Sequence, residues 1–310
     1  MNEKELPQTL LEAVRYFSDL ERCHEYMIQI KWPDGKPTCP KCGGDRVGRI
    51  KTRPGMLKCN KKACQKQFST KVGTIFEDSP LGLDRWFVAV WCIANDKNGI
   101  SSYELGRALG VSQPSAWHML HRIRLAMRTQ SFRKIRGEIE SDETFIGGKA
   151  KNMHRERRER IIQGRGTVGK AIVHGLLERG GEVRVDVVPN QKKGTLQDRV
   201  RANVAHGQSV YTDTLRSYEG LAAEYVHKMI DHMRAYVECR VHTNGLENFW
   251  SLLKRALGGT YVAVAPKHLT RYCDEEAFRF NQRNGTDASR FARIMRGVVG
   301  RRLTYKELAV

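Results

Sequence analysis

The chain has 310 residues, is 40% hydrophobic and contains 28 Gly and 9 Pro, a composition that is typical of a folded protein and excludes a disordered or collagen-like chain. At about 100–200 residues per domain, this length predicts two or three domains whose cores need no disulfide staples. No stretch reaches the roughly 20 apolar residues of a bilayer span, and the first residues lack the order of a secretory signal. We therefore expect a cytoplasmic protein that does not contact a membrane.

Positive charge is unevenly distributed along the chain. Lys and Arg total 54 against 34 Asp and Glu, which gives a net charge of +20. Residues 1–34 carry 4 basic and 7 acidic side chains, residues 35–137 carry 20 and 6, and residues 138–310 carry 30 and 21. Because so strong an imbalance favours a polyanionic partner, the charge predicts binding to nucleic acid, mainly through the middle of the chain.

The N-terminal segment has a helical pattern. Over residues 8–30, apolar side chains recur at three- and four-residue intervals, which predicts one amphipathic helix. Its expected core-facing residues are Leu11, Val14, Phe17, Leu20 and Met27. A passage rich in Pro and Gly, residues 32–37, ends this helix and separates it from the segment that follows.

Four cysteines lie in the next, strongly basic segment. Two residues separate Cys39 from Cys42, sixteen separate Cys42 from Cys59, and four separate Cys59 from Cys64. Two close pairs at this separation can place four thiolates around one Zn²⁺, which would supply much of the folding free energy of a segment with few large apolar residues. The alternatives are two disulfides, which a cytoplasmic setting disfavours, and four unrelated thiols. The spacing therefore predicts a structural zinc ribbon.

A helix-turn-helix pattern follows the ribbon. Ser101 begins a helical stretch, the pair Gly110-Val111 predicts a turn, and Ser112 with the early Pro114 predicts the start of a second helix. On that second helix, the side chains expected to face outward, toward a major groove, are Gln113, Ser115, Ala116 and His118. A three-helix packing element without DNA contact is the alternative.

Acidic residues then occur where apolar ones are usual. In residues 138–146, strand alternation places Ile139, Ser141 and Glu143 on one face and Glu140, Asp142 and Thr144 on the other. Asp213 ends a second short apolar strand. In the helical stretch after residue 243, Asn244, Glu247, Ser251 and Lys254 share one face, and Leu246, Phe249, Trp250 and Leu253 form the apolar face.

Carboxylates that are brought together repel one another unless cations join them. Asp142, Asp213 and Glu247 could hold two Mg²⁺ ions, which would activate a water or a 3′-hydroxyl and stabilise the leaving oxygen of a phosphodiester. Asn244 is the alternative third ligand, because it lies one turn before Glu247 on the same face.

At this point the chain resembles a known family. Asp142, Asp213 and Glu247, with Lys254 seven positions later, resemble the Asp-Asp-Glu signature of bacterial insertion-sequence transposases. Residues 140–149 and 242–247 are similar in particular to the ISXO2-like group, which joins an N-terminal zinc ribbon to this catalytic domain. The resemblance extends from about Gln8 to Asn284. It implies an RNase H-like fold, Mg²⁺ dependence, and binding, cleavage and strand transfer at the terminal inverted repeats of a mobile element.

The segment between the first two acids is basic. Residues 149–170 carry eight basic side chains and two acidic ones. Beside a centre that cuts phosphodiesters, this segment favours contact with the DNA backbone, and its candidate residues are Arg155, Arg157 and Arg158.

The patterns together predict an α/β protein. The resemblance implies that its core is RNase H-like and that it acts on double-stranded DNA in the bacterial cytoplasm, at the nucleoid, as a homo-oligomer. The expected boundaries are 1–34 for the N-terminal helical segment, 35–75 for the zinc ribbon, 76–134 for the helix-turn-helix region, 135–290 for the catalytic domain and 291–310 for a tail. Two other functions remain open, a domesticated zinc-ribbon regulator and a structure-selective nuclease without strand transfer.

Overall fold

The computed structural model describes residues 5–128, 133–148, 154–161, 169–229 and 242–309, except the side chains of Arg157 and Ile161. The chain divides into two compact units. Unit 1 comprises residues 1–128 together with 284–310, and unit 2 comprises residues 129–283.

Unit 1 begins with two helices where the sequence predicts one. These are α1, Leu10–Phe17, and α2, Leu20–Lys31. The prediction of a single helix is wrong because the Asp19 side chain accepts hydrogen bonds from the N–H groups of Glu21 and Arg22 and so starts a new helix. The break also changes the buried face: Phe17 and Met27 are buried as expected, whereas Leu11, Val14 and Leu20 are exposed.

A small antiparallel sheet follows. Its strands are β1, Val47–Arg49, β2, Met56–Cys59, and β3, Gln67–Ser69, in the order β1-β2-β3. Its core consists of Leu57 and Phe68 together with Cys39 and Cys59. So few apolar side chains bury little surface, which agrees with the expectation that this segment depends on more than its hydrophobic core.

The rest of unit 1 is helical. Its helices are α3, Leu83–Asn95, α4, Ser102–Leu109, α5, Gln113–Met127, α10, Asp287–Arg296, and α11, Tyr305–Ala309. The C-terminal residues, expected as a tail, instead complete this core: the buried Phe291 ring lies 5.0 Å from that of Phe17 and 5.9 Å from that of Phe87. The boundary at residue 284 therefore differs from the expected one at 290.

Unit 2 is built on a mixed sheet. Its strands are β4, Glu138–Ile146, β5, Ala171–Glu178, β6, Val183–Val188, β7, Ser209–Thr212, and β8, Val226–Met229. The order is β6-β5-β4-β7-β8. The pairs β4–β5 and β5–β6 are antiparallel, and the pairs β4–β7 and β7–β8 are parallel. The first strand of the unit therefore lies at the centre of its sheet.

Helices cover both faces of this sheet. The covering helices are α7, Lys193–Asn203, α8, Asn244–Ala256, and α9, Leu269–Asn281. A further helix of this unit, α6, Arg155–Ile161, is exposed at its described side chains. On β5, Val173 and Leu177 belong to the hydrophobic cluster of α8 and α9, whereas Leu176 belongs to the cluster of α7. Since alternate residues of a strand point to opposite faces, α7 packs on one face and α8 and α9 on the other. The expected combination of helices and sheets is confirmed.

Candidate metal centres and active site

The four cysteines of unit 1 meet at one point. The Sγ atoms of Cys39 and Cys64 are 3.7 Å apart, those of Cys42 and Cys59 are 3.7 Å apart, and all four lie within 4.8 Å of one another. Thiolates about 2.3 Å from a tetrahedral Zn²⁺ are separated by about 3.8 Å, whereas a disulfide requires about 2.05 Å. The arrangement fits one Zn²⁺ and does not fit two disulfides.

Two tight turns bring the cysteines together. In the first, the Gly43 N–H donates to the Cys39 carbonyl at 2.8 Å, and Gly43 has a φ of +65°. In the second, the Gln65 N–H donates to the Lys61 carbonyl at 3.1 Å, and Gln65 has a φ of +51°. Each pair of cysteines is thus followed at once by a left-handed residue. The sequence indicates the first through its glycine, but Gln65 carries no such signal.

Helices α4 and α5 form the expected pair. Ser101 and Glu104 form a reciprocal capping box, Gly110 adopts φ +62°, and the Ser112 side chain accepts from the Ser115 N–H. The two caps pair backbone N–H groups at the helix starts, and the left-handed glycine permits the sharp turn. The predicted helix starts and the predicted turn are therefore confirmed.

The outward face of α5 differs in part from the expectation. Ser115 is exposed, but Ala116 is fully buried, so its prediction as an outward residue is wrong. Ala116 shares a helix face with the buried Leu120 and Ile123, at the three- and four-residue spacing of a core stripe. Gln113 is half-buried and donates to Ser102 Oγ at 2.8 Å.

His118, also expected on this face, lies against the C-terminal segment. It is half-buried, with its Nε2 atom 3.3 Å from the Leu303 carbonyl oxygen. Its ring packs edge to face on Tyr305 of α11, with 5.7 Å between the ring centres. Any DNA that approaches His118 would therefore also meet α11.

In unit 2, strand β4 presents its two faces as predicted. Ser141 lies within 3.0 Å of both His174 and Tyr218 on one face. On the other face, the indole N–H of Trp250 on α8 donates to Asp142 Oδ2 at 2.9 Å. The close approach of Trp250 depends on Gly175, which pairs with Asp142 across the sheet, because a Cβ atom there would lie 2.7 Å from the indole ring.

Two of the candidate acids act electrostatically on the third, Asp142. Burial raises the pKa of Asp142 to about 6; the hydrogen bond from Trp250 opposes the rise, and the negative charges of Asp213 and Glu247 add to it. Asp213 comes directly after β7, the parallel neighbour of β4. Glu140 of β4 pairs with Tyr211 of β7, and Asp142 and Asp213 each lie two residues further along their strands. β4, β7 and α8 thus bring their acids to one region.

Helix α8 has the predicted amphipathic pattern. Asn244, Glu247, Ser251 and Lys254 are exposed, whereas Leu246, Phe249, Trp250 and Leu253 are buried. Among the described residues, however, only the four cysteines form a group whose potential ligand atoms all lie within 4.8 Å of one another. The acids occupy one neighbourhood, but their oxygens are more widely spaced than the thiols.

Two further acids near this region were not predicted as functional. Burial raises the pKa of Glu143 to about 7, and the negative charges of Asp142 and Asp213 add to the rise. Hydrogen bonds from Tyr218 and Gln191 oppose it. Glu140 is 1% exposed and forms an ion pair with Arg179 at 2.9 Å. The only sequence signal for either residue is an acid inside a strand.

The basic segment is described in part. Arg155 and Arg158 lie on α6 and are exposed, and Arg155 Nε is 2.9 Å from Glu159 Oε1. The Arg157 side chain and residues 149–153 and 162–168 lie outside the described residues. Across the ranges that the structure describes, no helix is both long enough and apolar enough to span a membrane.

Comparisons with known proteins agree with this organisation. The family description "ISXO2-like transposase domain" matches residues 134–281, and "Transposase zinc-ribbon domain" matches residues 18–67. The chain is 38% identical over 96 residues to an uncharacterized transposase-like protein of Haemophilus influenzae, which covers 31% of this chain and 77% of that protein. It is 28% identical over 272 residues to an uncharacterized protein in transposable element ISH50 of Halobacterium salinarum, which covers 84% of this chain and 90% of that protein. No solved structure matches.

A four-cysteine ribbon followed along the chain by a mixed-sheet unit matches the two family descriptions and indicates a zinc-ribbon transposase. The chain belongs to the ISXO2-like transposase family.

Proposed function

We propose that this protein binds the terminal inverted repeats of an insertion sequence and catalyses Mg²⁺-dependent cleavage and transfer of DNA strands. The proposal is carried by the convergence of Asp142, Asp213 and Glu247. The charges of Asp213 and Glu247 contribute to the raised pKa of Asp142. Unit 2 is assigned an RNase H-like fold, which is supported by a mixed sheet with its first strand at the centre and helices on both faces.

The donor set fits Mg²⁺, because carboxylate oxygens are the hard ligands that this ion prefers. Asp142, Asp213 and Glu247 would hold two ions, with Asn244 as the alternative to Glu247. Bound Mg²⁺ supplies the activation of a water or 3′-hydroxyl and the neutralisation of the leaving oxygen. Trp250 donates to Oδ2 of Asp142 and so orients this carboxylate.

The other residues of this region bind and orient the DNA. Lys254 lies on the exposed face of α8, two turns beyond Glu247, and would contact the backbone near the scissile phosphate. Arg155, Arg157 and Arg158 would contact phosphates outside the cut site. Oxygen ligands that repel each other without cations, and cationic side chains around them, suit a polyanionic substrate.

Unit 1 would recognise the element ends. Its ribbon carries eleven basic residues between Lys36 and Lys71 against the single acid Asp45, which favours contact with the DNA backbone. Ser115 and Gln113, at the start of α5, would reach base edges, and His118 would act together with α11. We expect two or more copies to act together on paired ends in the bacterial cytoplasm.

The test begins with the DNA that flanks the gene, where inverted repeats would define the substrate. The full-length protein should nick a labelled duplex with this end in Mg²⁺, and join it to a target duplex. Asp142→Asn and Asp213→Asn should eliminate cleavage and preserve DNA binding, because removing one carboxylate misplaces the cations. Asp198→Asn, an exposed acid on α7 of the same unit, is the matched control and should remain active.

Two outcomes would replace the proposal. Cleavage of branched DNA without strand transfer would indicate a structure-selective nuclease. Specific end binding without cleavage in Mg²⁺ or Mn²⁺ would indicate a regulator.

A further inference from the structure

A largely buried ion pair joins β4, the strand that carries Asp142, to the turn after β5. Glu140 of β4 is 1% exposed, and Arg179, in the turn after β5, is 18% exposed at its side chain. Arg179 Nε donates to Glu140 Oε1 at 2.9 Å. Removing charges from water is costly, so a buried pair persists only where its geometry and its further hydrogen bonds compensate.

Arg179 contacts β4, β7 and the segment that leads into α8. It binds β4 through Glu140, and its guanidinium lies 4.5 Å from the centre of the Tyr211 ring on β7. Its Nη2 atom donates to the carbonyl oxygen of His242 at 2.7 Å, two residues before α8 begins. The Tyr211 hydroxyl in turn donates to Glu138 at 2.9 Å and so joins β7 back to β4.

Glu140 reaches α8 directly as well. Its Oε2 atom accepts the backbone N–H of Leu246, the residue before Glu247, at 3.0 Å. This places a negative charge at the positive end of the helix dipole. The approach requires Gly245, because a Cβ atom there would lie 2.8 Å from Glu140 Oε2 and 2.4 Å from Leu177 Cδ2.

We propose that Arg179 and Glu140 are positioning residues, which hold β4, β7 and α8 in the one arrangement that lets Asp142, Asp213 and Glu247 share cations. This inference rests on the proposed function. It assigns these two residues no contact with DNA or with a cation. Their effect passes through the start of α8 and the end of β7.

The experiment uses the full-length, zinc-loaded protein and three variants. Arg179→Met removes the guanidinium and with it the contacts to Glu140, Tyr211 and the His242 carbonyl. Glu140→Gln keeps an acceptor for Leu246 but removes the charge. Arg184→Met is the matched control: Arg184 is 13% exposed at its side chain and contacts Glu182, Asn203 and the Arg133 carbonyl. Mn²⁺ binding without DNA is measured by electron paramagnetic resonance, together with unfolding midpoint, end binding and cleavage rate.

A positioning role predicts that Arg179→Met weakens Mn²⁺ binding at least tenfold and slows cleavage about 100-fold, since a displacement of about 1 Å at the reacting groups has effects of this size. Glu140→Gln should cause a smaller loss of both. End binding should stay at the wild-type level. Arg184→Met should lower the unfolding midpoint but change Mn²⁺ affinity less than threefold.

Wild-type Mn²⁺ affinity in a folded Arg179→Met protein would overturn the inference, as would an equal loss in the Arg184→Met protein. If Arg179→Met does not fold, Glu140→Gln decides on the same criteria. Failure of the proposed function is a different result: the wild-type protein itself would then neither bind Mn²⁺ nor cut DNA.

Discussion

The two candidate metal centres are built in opposite ways. The cysteines lie within 26 residues of one ribbon, and their four sulfurs are already within 4.8 Å of one another. The acids come from β4, from the end of β7 and from α8, over more than a hundred residues, and are spaced more widely. Where the hydrophobic core is small, the metal ligands must stabilise the fold, whereas in unit 2 we propose that a larger core and the Arg179–Glu140 pair position the acids.

The zinc centre gives the largest expected effect. Cys39→Ser or Cys59→Ser should unfold residues 38–70 and abolish specific end binding, while unit 2 stays folded. A structural zinc site contributes about 10–16 kcal/mol of apparent binding free energy, and the four-residue core of the ribbon cannot replace it. Zinc content and amide hydrogen exchange in β1–β3 are the measurements.

Lys41→Ser is the control for these variants, because Lys41 is exposed between two ligands. It should retain one zinc per chain and a protected ribbon. Wild-type protein that contains no zinc after purification without chelator would show that the thiols do not hold this metal, and the contrast between the two centres would collapse.

The third ligand of the acidic centre gives the next effect. Glu247→Gln should slow cleavage by roughly 10²–10³-fold, because a neutral amide balances less of the charge on divalent ions than a carboxylate does. Asn244→Ala, one turn earlier on the same exposed face, should have a weaker effect on orientation. Cleavage is measured in Mg²⁺ and in Mn²⁺, and a near-normal Glu247→Gln protein beside an inert Asn244→Ala protein would reverse the assignment.

A buried histidine in the core of unit 2, His174, should make the stability of this unit depend on pH, with an effect of intermediate size. Burial lowers the pKa of His174 to about 3, and Arg199 adds to the shift. Because the folded state holds His174 neutral, its contribution to stability is complete above pH 6.5 and is lost as pH falls below that value. At pH 5 the free energy of unfolding of unit 2 should be lower by about 2 kcal/mol.

Urea unfolding between pH 8 and pH 5 checks this prediction. His174→Gln should flatten the fall in stability, whereas His154→Gln, at an exposed position, should leave it unchanged. Parallel pH profiles for wild type and His174→Gln would show that the core of unit 2 accepts the charge.

The smallest expected effect concerns DNA affinity, because we propose that unit 1 recognises the DNA sequence and that α6 of unit 2 contacts the DNA backbone. Ser115→Ala should weaken binding to the cognate end by about 1 kcal/mol more than binding to random duplex, because base contacts carry sequence information. Arg158→Gln on α6 should weaken binding to the cognate end and to random duplex equally and should reduce the salt dependence of binding. The reason is that phosphate contacts carry no sequence information. Filter binding at several salt concentrations measures both, and equal losses for Ser115→Ala on the two duplexes would contradict the recognition role.

Patterns that are local in the chain were readable from the sequence. The cysteine spacing predicted the four-thiol cluster, and Ser101, Gly110 and Ser112 predicted the ends of α4 and α5. Alternation along β4 predicted which residues share a face. These signals depend on backbone geometry over a few residues, which the side chains of the same residues determine.

What only the tertiary structure decided concerns contacts between distant residues. The division of the first helix at Asp19 left Leu11 and Val14 exposed, and Phe291 returned the C-terminal segment to unit 1. The space that Gly175 leaves for Trp250 and the reach of Arg179 to three segments of the chain have no local signature, because they depend on which strands become neighbours. The sequence by itself predicted the candidate metal ligands, and the packing of the sheet against α8 decided how near to one another the acids lie.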